Sequence, residues 1–186
     1  PPTVPTIMAR IVLGAAASVA VYKAVDLASK LTQAGHNVRA VLTPRAAKLV
    51  SPQLFAAVSG EPASVDEFAT ERRGAMDHID LATWAELMLV APCSAGLVAR
   101  LALGLADDLV ATVALALPPG RPKLVSPAMN PHMLASAPVQ RNLATLRADG
   151  WSVIEPGAGH MACGVDGKGR LPDPAELVQA VERALR

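Results

Sequence analysis

Three side chains in this sequence could move a proton or hold a small acid, and each lies in a short segment of unusual composition. His78 stands in His78-Ile79-Asp80-Leu81, Asn130 in Pro127-Ala128-Met129-Asn130-Pro131-His132-Met133, and Cys163 in the glycine-rich run that opens Ala162-Cys163-Gly164. Imidazole is the group most easily poised for proton transfer near neutral pH. A carboxamide donates hydrogen bonds to a carboxylate without adding charge, and a thiol is a reasonable acid. Each also has an ordinary reading. A lone histidine is more often structural, Asn before Pro is a good helix cap, and a cysteine among small residues packs as a small hydrophobe. Cys93 has only that last reading.

The elements around these residues alternate between strand and helix. Arg10 to Leu13 reads as a strand, followed by the small-residue turn Gly14-Ala15-Ala16-Ala17-Ser18 and a helix from Val19 to Ala34 that Gly35 ends. That helix is apolar on nearly every face, which predicts burial against the sheet and a second subunit outside it. The turn lacks G-x-G-x-x-G, so a dinucleotide is not indicated, but Ser18 and the N–H groups of a helix start could hold one phosphate. Val38 to Leu42 is a second strand. Thr43-Pro44 and Ser51-Pro52 each pair a cap residue with Pro at the first helical position. Glu61 to Met76 is polar, shows neither period and reads as a mobile loop carrying Arg72 and Arg73.

A third strand, Glu86 to Ala91, ends at Pro92-Cys93-Ser94-Ala95. A helix follows from Gly96 to Leu103, and Asp107 is expected to cap the next one, Asp108 to Leu117. Lys123 begins the fourth strand, which gives way to a helix at Asn130-Pro131, and Trp151 to Glu155 is the fifth. Pro156 to Leu171 holds Gly157, Gly159, Gly164, Gly167 and Gly169, which suggests a loop that closes over something. Asp173-Pro174-Ala175-Glu176 reads as a capping box for a final amphipathic helix. Such alternation means an α/β fold of the Rossmann-like or flavodoxin-like kind: a doubly wound parallel sheet with helices on both faces. Residues 1–9 are expected to be a disordered arm and 10–186 a single domain. Four strand ends, at Gly14 to Ser18, Thr43, Pro92 to Ala95 and Pro127 to Asn130, should face one crevice.

Composition narrows the function. Hydrophobic residues make up 52% and aromatics 3% of the chain, so Ala, Val and Leu must fill a closely packed interior. A net charge of +1 offers no general field for nucleic acid, and so few aromatics offer no stacking platform for bases. No apolar run reaches the ~18 residues of a membrane span, and Pro1 to Thr6 has neither the basic start nor the apolar run of a secretory signal. Two cysteines without metal-ligand spacing point to no metal and, ahead of the alternative of a disulfide between them, to reduced thiols in a cytoplasmic enzyme.

Three of these motifs together resemble the flavin-dependent cysteine decarboxylases, most closely the phosphopantothenoylcysteine decarboxylase domain of coenzyme A biosynthesis. Pro127 to Met133 is similar to that family's Pro-x-Met-Asn-x-x-Met signature. Ala162-Cys163-Gly164-Val165-Asp166-Gly167-Lys168-Gly169-Arg170-Leu171 is similar to its substrate-clamp loop, and His78 to Leu81 to its active-site histidine segment. Any one could be chance; three in order are specific.

The resemblance implies FMN bound between subunits of a trimer, with trimers often assembled into a dodecamer. It implies Ala17, Ser18, Thr43, Ser94 and Ala95 around the phosphate and ribityl chain and Met129 near the ring. His78, Asn130 and Cys163 become the catalytic set, and Asn130, Met133, Ala162 and Cys163 the substrate contacts. The implied reaction decarboxylates phosphopantothenoylcysteine to phosphopantetheine. The flavin takes a hydride from the carbon bearing sulfur, the thioaldehyde loses carbon dioxide as an enethiolate, and the hydride returns. A ligase domain fused C-terminal to this chain is a further implication. Departures from the family pattern are Gly96, where Asn or Asp is usual, Cys93 for Ala, Ala17-Ser18 for a glycine pair or Gly-Ser, and Leu134 for an aromatic. A peptidyl-cysteine decarboxylase would share fold and flavin. A regulatory flavin-binding subunit would not need His78, Asn130 and Cys163 together. Arg72, Arg73 and Lys168 are candidates, by charge alone, for holding the substrate phosphate.

Overall fold

The computed structural model describes residues 8–69, 76–160, 164 and 166–186. Five parallel strands form the central sheet: β1 (Arg10–Ala15), β2 (Asn37–Leu42), β3 (Leu87–Cys93), β4 (Lys123–Pro127) and β5 (Trp151–Val153), in the order β2-β1-β3-β4-β5. The cores of β1 and β3, Ile11-Val12-Leu13 and Leu87-Met88-Leu89-Val90, are apolar without a break. Strands covered on both faces read this way, and all of these side chains are buried.

Successive side chains point to opposite faces, so each strand feeds two cores. Ile11, Leu13, Leu87 and Leu89 pack under α1 (Tyr22–Gln33), α2 (Pro52–Ser59) and α8 (Pro174–Ala184). Val12, Met88, Val90 and Val125 pack under α3 (Asp77–Trp84), α4 (Ala95–Leu103), α5 (Leu109–Ala116) and α7 (Ala137–Ala148). Gly14 sets how closely this second layer approaches. A Cβ built there would lie 2.9 Å from Val110 Cγ1 and 3.3 Å from Val90 Cγ2, so α5 rests directly on the backbone of β1.

The chain turns first to β2 on one side of β1 and then to β3 on the other. Doubly wound sheets leave a crevice at such a reversal, beyond the carboxyl ends of the strands. Backbone bonds tie those ends together: Thr43 N to Ala15 O at 3.0 Å, Ala16 N to Pro92 O at 2.9 Å and Ala128 N to Cys93 O at 3.0 Å. The tips of β2, β1, β3 and β4 therefore form one belt.

Several elements differ from the sequence expectation. His78 lies on α3, which the few polar residues around it conceal. The glycine-rich stretch contains an antiparallel hairpin, β6 (Gly157–His160) with β7 (Asp166–Arg170), because its backbone pairs although its side chains carry no alternating apolar signal. Asp108, not Asp107, caps α5: its Oδ1 accepts from Ala111 N at 2.9 Å while Arg100 grips Oδ2 at 2.7 Å. Asp173 makes no side-chain cap on α8, its carboxylate being taken by Lys23 at 3.0 Å. Thr43-Pro44 opens only a 3-10 turn at Ala46–Lys48.

Helix α1 is amphipathic, burying Ala24, Leu27, Ala28 and Leu31 while Tyr22 is exposed. Within the expected loop, Ser64 bridges to β2 by backbone bonds of 2.9 Å to Leu42 N and Ala40 O. Arg72 and Arg73 lie outside the described residues. Ala9, assigned from sequence to the arm, is buried and accepts from Asn37 N at 2.9 Å. Among the described residues no helix is long and apolar enough to cross a membrane.

Candidate functional site

Two adjoining hollows open above the belt of strand tips. A cleft of about 430 Å³ is lined by Ala17, Ser18, Ser94, Ala95, Met129 and Asn130 among others. A second, of about 390 Å³, is reached by Thr43, Gly96 and Arg100 and shares Ala17, Ser94, Ala95 and Met133 with the first. Each volume falls within the roughly 300–1,000 Å³ of small-molecule sites. All six residues expected around a ligand's phosphate, chain and ring therefore stand on one continuous surface, with Asn130 and Met133.

The polar groups on this surface come from helix starts. Ser18 Oγ accepts from Ala20 N at 3.3 Å, Ser94 Oγ from Leu97 N at 3.4 Å and Thr43 Oγ1 from Ala46 N at 3.2 Å. A hydroxyl that only accepts keeps its hydrogen to donate. No protein acceptor takes those three hydrogens among the described residues, so the platform presents hydroxyl donors to whatever occupies it. Asn130 is a cap as well: its Oδ1 accepts from His132 N at 2.8 Å at the start of α6 (Pro131–Ala135). The amide nitrogen of Asn130 is the end suited to donate to an anion. Cap and ligand contact are compatible in one side chain.

The charge of the cleft is one-sided. Lys23, His160 and Arg170 line it, and no Asp or Glu does among the described residues. The hairpin bearing His160 and Arg170 docks on the Pro-Ala-Met-Asn turn, Met129 N donating to Gly169 O at 3.1 Å. Gly167 permits the contact, since a Cβ there would fall 2.8 Å from Pro131 Cγ.

His78 stands apart. It lies in the first turn of α3, which runs antiparallel to the strand it feeds and so begins at the same carboxyl edge. Its Nδ1 is 3.2 Å from Glu67 Oε2, and it does not line the cleft of a single chain. Ala162 and Cys163 fall outside the described residues, between β6 and β7. Cys93 is wholly buried and free, and burial pushes its thiol far above the ordinary cysteine range. It is a packing residue. Lys168 is held by Glu155 at 2.6 Å and lines a different hollow, with Pro131, Leu143 and Arg147. Nothing in the sequence singles out Lys23 or His160 as cleft residues; only the hairpin fold and the turn of α1 bring them there. Among the described residues no cluster is placed to hold a metal.

Comparison with known proteins agrees with this geometry. Residues 5–186 match the family model described as Flavoprotein. The chain is 42% identical over 173 residues to the coenzyme A biosynthesis bifunctional protein CoaBC of Bacillus subtilis (strain 168), covering 93% of this chain and 42% of that protein. It thus spans less than half of that relative's length. Among solved structures, a PPC decarboxylase mutant complexed with pantothenoylaminoethenethiol superposes with a TM-score of 0.83 at 29% identity, covering 95% of this chain and 98% of that one. The FMN-dependent cysteine decarboxylase SpaF superposes with a TM-score of 0.81 at 28% identity, covering 95% of each chain.

Proposed function

The chain belongs to the flavoprotein family, and from that premise we propose that it binds FMN and decarboxylates phosphopantothenoylcysteine to phosphopantetheine. The observation that carries this reading is the joined pair of hollows. They have a floor of small residues, three unclaimed hydroxyl donors and Asn130 at the edge of the turn. FMN fits that lining: the hydroxyls of Ser18, Thr43 and Ser94 suit phosphate and ribityl oxygens, and Ala17 and Ala95 let a ligand approach the backbone. Met129 offers an apolar, polarisable contact to a ring. Gly96 leaves open space, with nothing within 4 Å of a Cβ built there, so the missing Asn or Asp of the family turn narrows nothing.

Bound FMN supplies a reversible two-electron oxidation at the carbon bearing sulfur, so the cycle has no net redox change and needs no external reductant. The chain's own groups handle protons and orientation. Asn130 orients the substrate carboxylate through a neutral donor, which does not penalise loss of its charge as carbon dioxide leaves. His78 takes the thiol proton, and Cys163 returns a proton to the carbon left after decarboxylation. Met133 and Ala162 flank the substrate. Because His78 sits at the correct edge yet outside the cleft of one copy, the reading includes an assembly, a trimer or a dodecamer built from trimers, in which flavin lies between subunits. Exposed apolar side chains around the rim, Val19 at 71% and Tyr22 at 64%, support such a cover. The similarity to the CoaBC relatives supports a fused phosphopantothenate-cysteine ligase as partner and a cytoplasmic setting for the pathway.

Purified protein should be yellow and release FMN, not FAD, on denaturation. A competition assay between phosphopantothenoylcysteine and a peptide ending in cysteine then decides between substrates. Preference for the peptide would move the reading to a peptidyl-cysteine decarboxylase.

A further inference from the structure

The hairpin that covers the cleft aims one arginine into it by means of a bulge. Gly157 pairs with Arg170 and Ala158 with Lys168, so Gly169 is an extra residue on β7, at φ +152°. Residues two apart on a regular strand share a face, and one inserted residue re-aims the side chains beyond it. The two cations accordingly part company. Lys168 joins Glu155 in the hollow beside α7, while Arg170 lines the ligand cleft.

The position of Arg170 is built. A Cβ placed on Gly159 would lie 2.9 Å from its Nη1 and 3.3 Å from its Cδ, so the side chain lies against a glycine of β6 that leaves it room. Its charge is also unanswered. Asp173 is engaged by Lys23 and Glu155 by Lys168 and Arg147, while Asp166 lies 3.2 Å from His160 Nδ1. No described residue makes an ion pair or hydrogen bond with the Arg170 side chain.

We propose that Arg170 is the specificity-determining residue for the phosphate of the substrate, held by the Gly169 bulge and the Gly159 platform to grip that group as it enters the cleft. This rests on the decarboxylase reading for the identity of the substrate. The substrate carries two anionic groups at opposite ends of an extended molecule, and one arginine meets one of them. A guanidinium on the carboxylate would stabilise the charge that decarboxylation must remove, whereas a guanidinium on the phosphate anchors the far end and is worth its full value in binding. Arg presents a planar fork of donors matched to phosphate oxygens, each bond charge-assisted.

The product isolates the question, since phosphopantetheine keeps the phosphate and lacks the carboxylate. Calorimetric titration of the FMN-loaded chain with phosphopantetheine and with pantetheine should show about tenfold or more tighter binding of the phosphorylated compound. Arg170→Ala should erase most of that preference, and Arg170→Lys should keep part of it. Gly159→Val, which keeps the arginine in the sequence but pushes its side chain off its seat, should lower the preference in the same direction. FMN content and melting temperature of Arg170→Ala should match the parent. A parent that does not discriminate, or an Arg170→Ala chain that still does, overturns the assignment. Loss of FMN from Arg170→Ala also overturns it, placing the arginine on the flavin phosphate instead. A chain that discriminates by phosphate yet releases no carbon dioxide from phosphopantothenoylcysteine leaves the phosphate site standing and removes the decarboxylase reading alone.

Discussion

The floor of the cleft and the hairpin that leans over it are made on opposite principles. The floor is a belt of strand tips whose polar side chains, Ser18, Ser94, Thr43 and Asn130, are each fixed by a local cap, and whose backbone is cross-tied at 2.9–3.0 Å. These capping side chains are neutral, with the charged Arg45, Arg100, Asp107 and Asp108 set at the second hollow. Among the described residues the hairpin has almost no buried side chains of its own and is held by a backbone bond to Met129, by the fit of Gly167 on Pro131 and by the exposed ion pair of Lys168 with Glu155. It carries the charge. A floor of neutral donors suits a cofactor that stays; a charged, lightly held cover suits a substrate that enters and leaves.

Changes in the floor should cost most. Asn130→Asp keeps a capping oxygen but replaces the amide donor with a second anion facing the carboxylate. Turnover should fall about a hundredfold or more while the melting temperature stays near that of the parent. Equal turnover would assign Asn130 to capping alone. Gly14→Ala drives a methyl into Val110 and Val90 beneath the floor, and urea unfolding should report a loss of about 1–3 kcal/mol. An unchanged midpoint would mean that α5 yields easily.

Changes in the hairpin should act on binding more than on stability. Gly167→Ala pushes against the rigid ring of Pro131 and should raise the substrate KM about tenfold with little change in unfolding midpoint. The smallest effect concerns Glu155, whose carboxyl is held below its ordinary range above all by the hydrogen bond from Lys168, against the opposing effect of burial and with the charges of Lys168 and Arg147 adding to the lowering. A depressed carboxyl stabilises the fold above the ordinary glutamate range, and that contribution fades as pH falls toward and through the folded pKa. Glu155→Gln should therefore lower stability by less than about 1 kcal/mol at pH 7 and by nothing once the parent carboxyl is protonated. Denaturant titrations at the two pH values check the convergence.

The same division explains what the sequence discloses. Parallel strands buried on both faces announce themselves as apolar runs, and Ser or Asn placed before a helix start is legible because capping is local chemistry. The floor can thus be read in order, down to Asn130 and Met129. Asp107 and Asp108 show the limit: adjacent acids compete for one cap, Arg100 pairs with both, and only the fold shows that Asp108 is the one that accepts from Ala111 N. The hairpin reads as loop because glycines pair through backbone alone, leaving no side-chain period to detect. Lys168 draws attention by charge, yet one inserted glycine turns it away and Arg170 inward. A strand register is a property of two segments, so no single-residue pattern reveals it. His78 is marked by its motif, yet it stands outside the cleft of the single chain, which no local pattern discloses.

The most direct measurement is a turnover of phosphopantothenoylcysteine by the FMN-loaded chain without any added reductant, tracking carbon dioxide, product mass and flavin absorbance together. The account requires carbon dioxide and phosphopantetheine in equal amounts, with the flavin oxidised again at the end. Flavin left reduced beside an oxidised thiol product, or intact substrate after prolonged incubation, would contradict it.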